Sequence, residues 1–415
     1  MAAANDDRRV FLVLSQVYVP DPASVGQHLH DVAAEMARRG HRVIVYCSGR
    51  GYENPSTKYP RREMRDGVEI RRIPLASFGK KSIPRRIAGT ASFMGQVLGR
   101  ALTCERPDAL LVSTSPPMIG GVGRLVKKVR GVPMTYWAMD LNPDQLIALG
   151  KIEESDRKAR FLEKNNRKIL DASDLVVALD RFMADRLRPR TRDLDGRLLT
   201  IPPWPHETHA APVAHADNPF RREHGLDGKF VVMYSGNHSP SNPLDTLLAA
   251  AERLKGDDRF RFLFVGGGLG KPQVEAFIDE HKLTNAISLP YQPIEQLRYS
   301  LSAADVHAVT LGDGMVGIIH PCKIYGSMAV SRPILFNGPR PSHVSDLLDE
   351  HGFGRHAGHG DVDGTVAALR ELSDLPQEQR DAMGQTARRV LDETLSQQRL
   401  CGLMCDRIEA TMRDR

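Results

Sequence analysis

Two apolar runs decide what this chain can become. Val10-Phe11-Leu12-Val13-Leu14 and Phe230-Val231-Val232-Met233-Tyr234 are unbroken hydrophobic stretches of strand length, the pattern of parallel strands buried on both faces. Each leads through a glycine-bearing loop, with Gly26 in the first and Gly236 in the second, into a segment of helical periodicity. Strand, glycine loop and helix, met twice about 220 residues apart, predict two doubly wound α/β domains in tandem.

The rest of the chain fills in both halves. Strands are expected at 42–47, 68–73 (an edge strand), 109–112, 133–138 and 175–179 in the first half, and at 261–265, 286–289, 306–310 and 334–336 in the second. Between them the stretch from Ile201 to about Pro219 is rich in Pro, His and Ala and lacks periodicity, which marks a linker. The expected domains are 1–207 and 208–390, followed by a single helix over 391–415 with Leu400, Leu403, Met404 and Ile408 on one face.

Composition removes several classes of function. A chain of 415 residues with 41% hydrophobic and 26% charged residues suits a globular protein, and no run of eighteen apolar residues spans a membrane. The start, MAAANDDRRV, lacks the apolar core of a signal peptide. Five scattered cysteines fit reduced thiols, so a cytoplasmic location is expected. The net charge of +6 is local: Lys80, Lys81, Arg85, Arg86, Arg100, Arg124, Lys127, Lys128 and Arg130 outweigh Glu105 and Asp108. With 6% aromatics and no nucleic-acid motif, a nucleic-acid partner is not expected. Lys80, Lys81, Arg85 and Arg86 precede the apolar positions Ile87, Phe93, Met94, Val97 and Leu98. That is either an ordinary solvated helix or a segment that lies on an anionic membrane surface.

The densest chemistry lies in Gly312–Gly338, GDGMVGIIHPCKIYGSMAVSRPILFNG. A glycine loop containing Gly317 passes through His320 and Pro321 into a short helix at about 324–330 with Lys323 in its first turn. A helix N-terminus after such a loop directs backbone N–H groups at an anion, and a lysine there opposes the dipole unless something negative is present. A diphosphate fits, as does a solvated lysine. Elsewhere, Asp140 ends a strand and either faces a ligand or caps the next helix. The run Gly266-Gly267-Gly268-Leu269-Gly270 lacks the spacing of a dinucleotide fingerprint. Asp193-Leu194-Asp195 and Asp361-Val362-Asp363 follow no strand end, so no metal is expected.

Pro321-Cys322-Lys323-Ile324-Tyr325 with the Ser327-Met328-Ala329 turn, together with VPDPASVGQHLHD, FLFVGGG, LPYQP and SAADVHAV in order, resembles family-4 glycosyltransferases of the GT-B fold, in their bacterial polysaccharide and cell-wall branch. The resemblance covers most of the chain and is strongest over 230–338. It implies two Rossmann-like domains facing a central cleft, the first for the acceptor and the second for a nucleotide sugar, with the last helix crossing back to the first domain. It further implies a retaining transferase using a nucleotide diphosphate sugar, uridine favoured, and a polysaccharide or lipid-linked acceptor, with no other cofactor and peripheral membrane attachment. On this resemblance Lys323 and Asp140 are the catalytic candidates. Gly236, Asn237, Gly266, Gly267, Gly268, Tyr291, Gly317, His320, Pro321 and Tyr325 are the donor-binding ones, and Gly26, Gln27 and His28 belong to the acceptor side. Two departures stand out. The family's pair of glutamates falls on Ile318 and Gly326, and the basic pair after Gly236 is replaced by Asn237 and Asn242. A sugar-nucleotide binder or a GT-B epimerase without transferase activity is the alternative.

Overall fold

A computed structural model describes residues 8–21, 23–51, 56–74, 83–206 and 211–412. In chain order the elements are β1 (Val10–Leu14), α1 (Ser24–Arg38), β2 (Arg42–Ser48), β3 (Arg62–Arg65), β4 (Val68–Ile73), α2 (Ile83–Thr103), β5 (Ala109–Val112), α3 (Ile119–Arg130), β6 (Met134–Trp137), α4 (Asp144–Ala148), α5 (Arg157–Ala172), β7 (Leu175–Ala178), α6 (Arg181–Leu187) and β8 (Leu198–Thr200). They continue with α7 (Pro219–Glu223), β9 (Phe230–Asn237), α8 (Asp245–Arg253), β10 (Phe260–Gly267), α9 (Lys271–Glu280), β11 (Ala286–Leu289), α10 (Leu297–Ser302), β12 (Val306–Thr310), α11 (Lys323–Ala329), β13 (Ile334–Asn337), α12 (His343–His351), β14 (Gly354–Ala357), α13 (Val362–Asp374), α14 (Gln377–Thr394) and α15 (Gln397–Glu409).

The chain divides into two compact units, Met1–Pro203 with Gln397–Arg415, and Trp204–Ser396. The first carries an eight-stranded sheet in the order β3-β4-β2-β1-β5-β6-β7-β8, and the second a six-stranded sheet in the order β11-β10-β9-β12-β13-β14. Every pairing but β3–β4 is parallel. The two apolar runs sit in the middle of their sheets. Val10 through Leu14 are at most 1% exposed, and Val231 through Tyr234 likewise. Their loops leave from the C-terminal strand ends, where open α/β sheets bind ligands.

Three local features differ from the sequence reading. The strand at 68–73 is not the edge, because Asp66 and Gly67, both at positive φ, turn the chain back so that β3 pairs antiparallel outside β4. An Asp-Gly pair is the residue choice for such a tight hairpin. The expected helix over 391–415 is two elements: Leu391 to Thr394 end α14, and α15 starts after Ser396. The Thr394 hydroxyl donates to the Val390 carbonyl (2.6 Å) at that break, a local bond that competes with further helix. Part of the expected linker is docked, since the Val213 N–H donates to Ser302 Oγ (3.0 Å) and α7 begins at Pro219.

Within the first unit, α15 packs on α1. Cys401, Met404, Cys405 and Ile408 are buried, which gives both cysteines a packing role. Arg39 bonds Asp406 and Glu409 at 2.7 Å each, and His41 bonds Glu409 at 2.7 Å.

Candidate functional site

In the second unit the site is built where β9 and β10 end side by side. The register pairs Gly236 with Gly266 and Asn237 with Gly267. Small residues are required because the backbones and Lys323 come too close for anything larger. A Cβ on Gly236, at φ +139°, would lie 2.6 Å from Lys323 Cε, and one on Gly266, at φ +137°, would lie 2.0 Å from the Gly236 carbonyl oxygen. Gly268 is at φ +121° against the Asn237 side chain. Tyr291, half-exposed beyond β11, leans over Gly267 with its ring 3.0 Å from where a Cβ would be.

Lys323 begins α11 and points across this glycine bed. Its Nζ lies 5.2 Å from the centroid of the Tyr234 ring, a favourable cation–π contact. No carboxylate pairs with it among the described residues. Removal from water pushes its pKa down to about 8, since burial disfavours the charged form. The expected row of open N–H groups at the start of α11 is largely closed. Cys322, Ile324 and Tyr325 already donate to the His320, Pro321 and Cys322 carbonyls. The ammonium, more than the helix end, is what this site offers to an anion.

The preceding loop turns at Gly317 (φ +69°) and delivers His320, whose Nε2 lies 2.7 Å from the Tyr325 hydroxyl. His343, the first residue of α12, joins them. Its ring centroid is 4.4 Å from that of His320, and its Nε2 is 3.5 Å from the same hydroxyl. His320 and Tyr325 therefore brace the loop behind Lys323. The positions of the missing glutamates are closed: Ile318 is 2% exposed and Gly326 faces Leu301.

In the first unit, Asp140 follows β6. Its backbone N–H donates to Thr114 Oγ1 (3.3 Å), and its carboxylate has no partner among the described residues. Desolvation raises its pKa to about 6. Asp144, four residues on, is bound by Arg190 at 2.9 Å. Of these two, only Asp140 keeps its carboxylate uncommitted among the described residues. Gly26 is set by packing: a Cβ there would fall 2.9 Å from Tyr18 Cα. His28 is buried, with Nδ1 2.8 Å from the Ser24 carbonyl and its ring edge-on to Trp137. Gln27 is half-buried beside them. Of the basic patch, Lys80 and Lys81 lie outside the described residues, while Arg85 and Arg86 fall in the first turn of α2, Arg85 exposed.

Residues 24–204 match the family described as glycosyl transferase 4-like domain. A provisionally named Pseudomonas aeruginosa glycosyltransferase, WbjE, is 26% identical over 71% of this chain and 72% of its own. WcaI of Escherichia coli K12, provisionally named a colanic acid biosynthesis glycosyl transferase, is 25% identical over 92% of this chain and 96% of its own. The chain is a glycosyltransferase with a glycosyl transferase 4-like domain over residues 24–204. Solved structures agree on the fold. Sucrose-phosphate synthase of Thermosynechococcus elongatus superimposes with a TM-score of 0.77 at 15% identity, covering 97% of this chain and 99% of that one. Anabaena Alr3699/HepE, solved with UDP and glucose, gives 0.71 at 14%, covering 97% and 100%. This glycosyltransferase has the GT-B fold.

Sequence reasoning about the transferase missed two histidines, His238 and His343. Each sits next to an indicated residue, His238 after Asn237 and His343 beside His320. His343 follows Ser342, which caps α12 by accepting from the Ser345 N–H. A serine followed by an apolar-periodic stretch at Pro341–Leu348 was the available signal.

Proposed function

We propose that this glycosyltransferase moves a sugar from a nucleotide diphosphate sugar, preferably of uridine, to a polysaccharide or lipid-linked glycan, with retention at the anomeric carbon. The observation that carries the reading is Lys323: a desolvated cation with no acid beside it among the described residues, laid along glycines too crowded for any side chain. The UDP in the HepE structures supports the uridine preference. Retention and the acceptor class rest on the family resemblance.

In this reaction Lys323 stabilises charge on the departing diphosphate, which is worth most in a site stripped of water. Asp140, ionised above about pH 6, orients the acceptor hydroxyl and draws on its proton. Gly236, Asn237, Gly266, Gly267 and Gly268 admit the diphosphate, and Tyr291 flanks the base. Gly317, His320, Pro321 and Tyr325 hold the Lys323 turn. Gly26, Gln27 and His28 line the acceptor side, and neither a metal nor another cofactor takes part.

Peripheral attachment to an anionic membrane belongs to the same proposal. No helix among the described residues is long and apolar enough to cross a membrane. In the first unit α2, α3 and α5 pack side by side, and neither α2 nor α3 contains an acidic residue. Ile87, Leu125, Val129 and Phe161 are exposed there among Arg85, Arg124, Lys128, Arg160 and Lys164. Apolar side chains set among cations suit an acidic lipid surface.

A thermal-shift screen against UDP, GDP and their sugars tests the donor site. One nucleotide at high excess should stabilise the protein by roughly 2–4 kcal/mol, and absence of any shift would remove the donor reading. The anomeric configuration of the product, read by NMR, decides retention. Sedimentation with anionic but not zwitterionic vesicles checks the membrane.

A further inference from the structure

One residue ties the two glycine loops of the second unit together. The backbone N–H of His238 donates to the Gly267 carbonyl (2.7 Å), and the His238 carbonyl accepts from the Gly270 N–H (2.9 Å). The side chain is 1% exposed. Its Nδ1 lies 3.3 Å from the same Gly267 carbonyl, and its ring packs edge-on against Tyr234 at 5.2 Å. Its Nε2 has no partner among the described residues. A buried polar nitrogen left unpaired is costly, and nothing in the proposed reaction so far uses it.

The charges facing this ring are both positive. Lys271 comes from α9 and Lys323 from α11. Lys271 is fixed by the Gly266 and Leu289 carbonyls at 3.0 and 2.7 Å, with its nearest acid, Glu275, 3.7 Å away. Burial and the two ammonium groups hold the imidazole below the usual histidine range, while the Gly267 and Gly236 carbonyls favour the charged ring. A diphosphate seated on Lys323 brings negative charge to the same spot and cancels the repulsion. Burial alone then opposes the charged ring, against the two carbonyls and the new negative charge together.

We propose that His238 is a positioning residue that charges as the donor binds. When a nucleotide sugar's diphosphate settles on Lys323, Nε2 takes up one proton from solvent, and the imidazolium holds the two glycine loops around the diphosphate. This rests on the donor-site reading above. It gives His238 the work left open by the replacement of the basic pair with Asn237 and Asn242, through a charge that is present only when it is needed.

Nucleotide sugars are suitable probes, because their esterified diphosphate exchanges no proton between about pH 5 and 9. Calorimetry with UDP-glucose and GDP-mannose at pH 6.5, in two buffers of different ionisation enthalpy, counts protons taken up per nucleotide bound. The wild type should take up roughly half to one proton, and its affinity should tighten about 5- to 10-fold from pH 8 to pH 6. His238→Gln and His238→Asn should lose the uptake at pH 6.5 and keep only the roughly 2-fold pH dependence that Lys323, half neutral at pH 8, supplies by itself, with affinity at pH 8 within about 2-fold of wild type. Binding by the wild type without proton uptake overturns the proposal whether or not the variants fold. Undiminished uptake in either folded variant overturns it too. Failure of every nucleotide sugar to bind removes the donor reading itself, and this inference with it.

Discussion

The two ends of the second sheet both gather cations, and they treat them in opposite ways. At the N-terminal strand ends lies a cavity of about 480 Å³ lined by Arg221, Lys229, Arg259, Arg380 and Asp305, among others. Its charges are already answered. Arg221, 3% exposed, bonds Asp305 at 3.2 Å and the Ala303, Leu226 and Lys229 carbonyls at 2.6–2.8 Å. Arg259 bonds Asp257 and Asp374 at 2.8 Å each. At the C-terminal ends Lys323 has a tyrosine ring and glycines, and no anion among the described residues. A charge that is paired belongs to the scaffold; one held away from water and left unpaired costs stability and, on the function proposed above, is kept for the diphosphate. The hollow at the N-terminal strand ends is therefore the less informative of the two.

Exchanging the roles gives the largest effects. Lys323→Ala should lower kcat by roughly 10²- to 10³-fold in a protein that folds normally. Arg221→Ala strands Asp305 and should cost about 3–5 kcal/mol of stability by urea titration, with kcat per folded molecule kept. Intact turnover in the lysine variant would end the comparison. Gly236→Ala blurs the two roles, because its Cβ would sit 2.6 Å from Lys323 Cε at φ +139°. We expect about 1–3 kcal/mol of destabilisation together with lost turnover, since the lysine must move.

A smaller effect sharpens the same point through pH. The folded pKa of Lys323, about 8, lies below its ordinary 10.5. Above 10.5 the ammonium is neutral in both folded and unfolded chains and costs nothing. Below 8 the fold carries the full desolvation cost, so this contribution to stability rises with pH across the window. Lys323→Met should accordingly raise the melting temperature at pH 7, by about 1–2 kcal/mol in free-energy terms once partial solvation is allowed for. The gain should close between pH 8 and 10.5. Thermal scans of both proteins across that range measure it.

Much of this was legible in the sequence. Unbroken runs such as 10–14 and 230–234 fix parallel strands, because only a strand covered on both faces tolerates them. Lys323 stood out because lysine is a poor residue for a first helical turn. What stayed hidden depends on distance. Nothing in the chain order says that Gly236 faces Lys323 and not solvent, or that His343 reaches His320 across more than twenty residues. Asp140 and Asp144 are alike in sequence, and only the fold reveals that Arg190 has claimed the second. Short edge strands such as β8 and β14, of three and four residues, carry too little periodicity to be seen.

Asp140 is the first unit's counterpart of Lys323, with the sign reversed, and its effect on stability is expected to be the smallest. Its folded pKa of about 6 lies above the ordinary 3.8. Below pH 3.8 the carboxyl is protonated in both states and burial is free. As pH rises through 6 the folded protein must accept a desolvated carboxylate, and this contribution to stability is lost. Asp140→Asn should therefore match the wild type at pH 4 and exceed it at pH 7 by about 1–2 kcal/mol, the partly exposed carboxyl keeping the figure below the full shift. If Asp140 also serves the acceptor hydroxyl, the wild-type rate should fall on the acid side with a midpoint near 6, and the Asn variant should be slow at every pH. A variant that is more stable, slower and without that acid limb would identify a carboxylate kept unpaired for chemistry. A variant that is more stable and equally fast would leave Asp140 as a burial cost with no catalytic return, and would move the search for the acceptor's partner to Gln27 and His28.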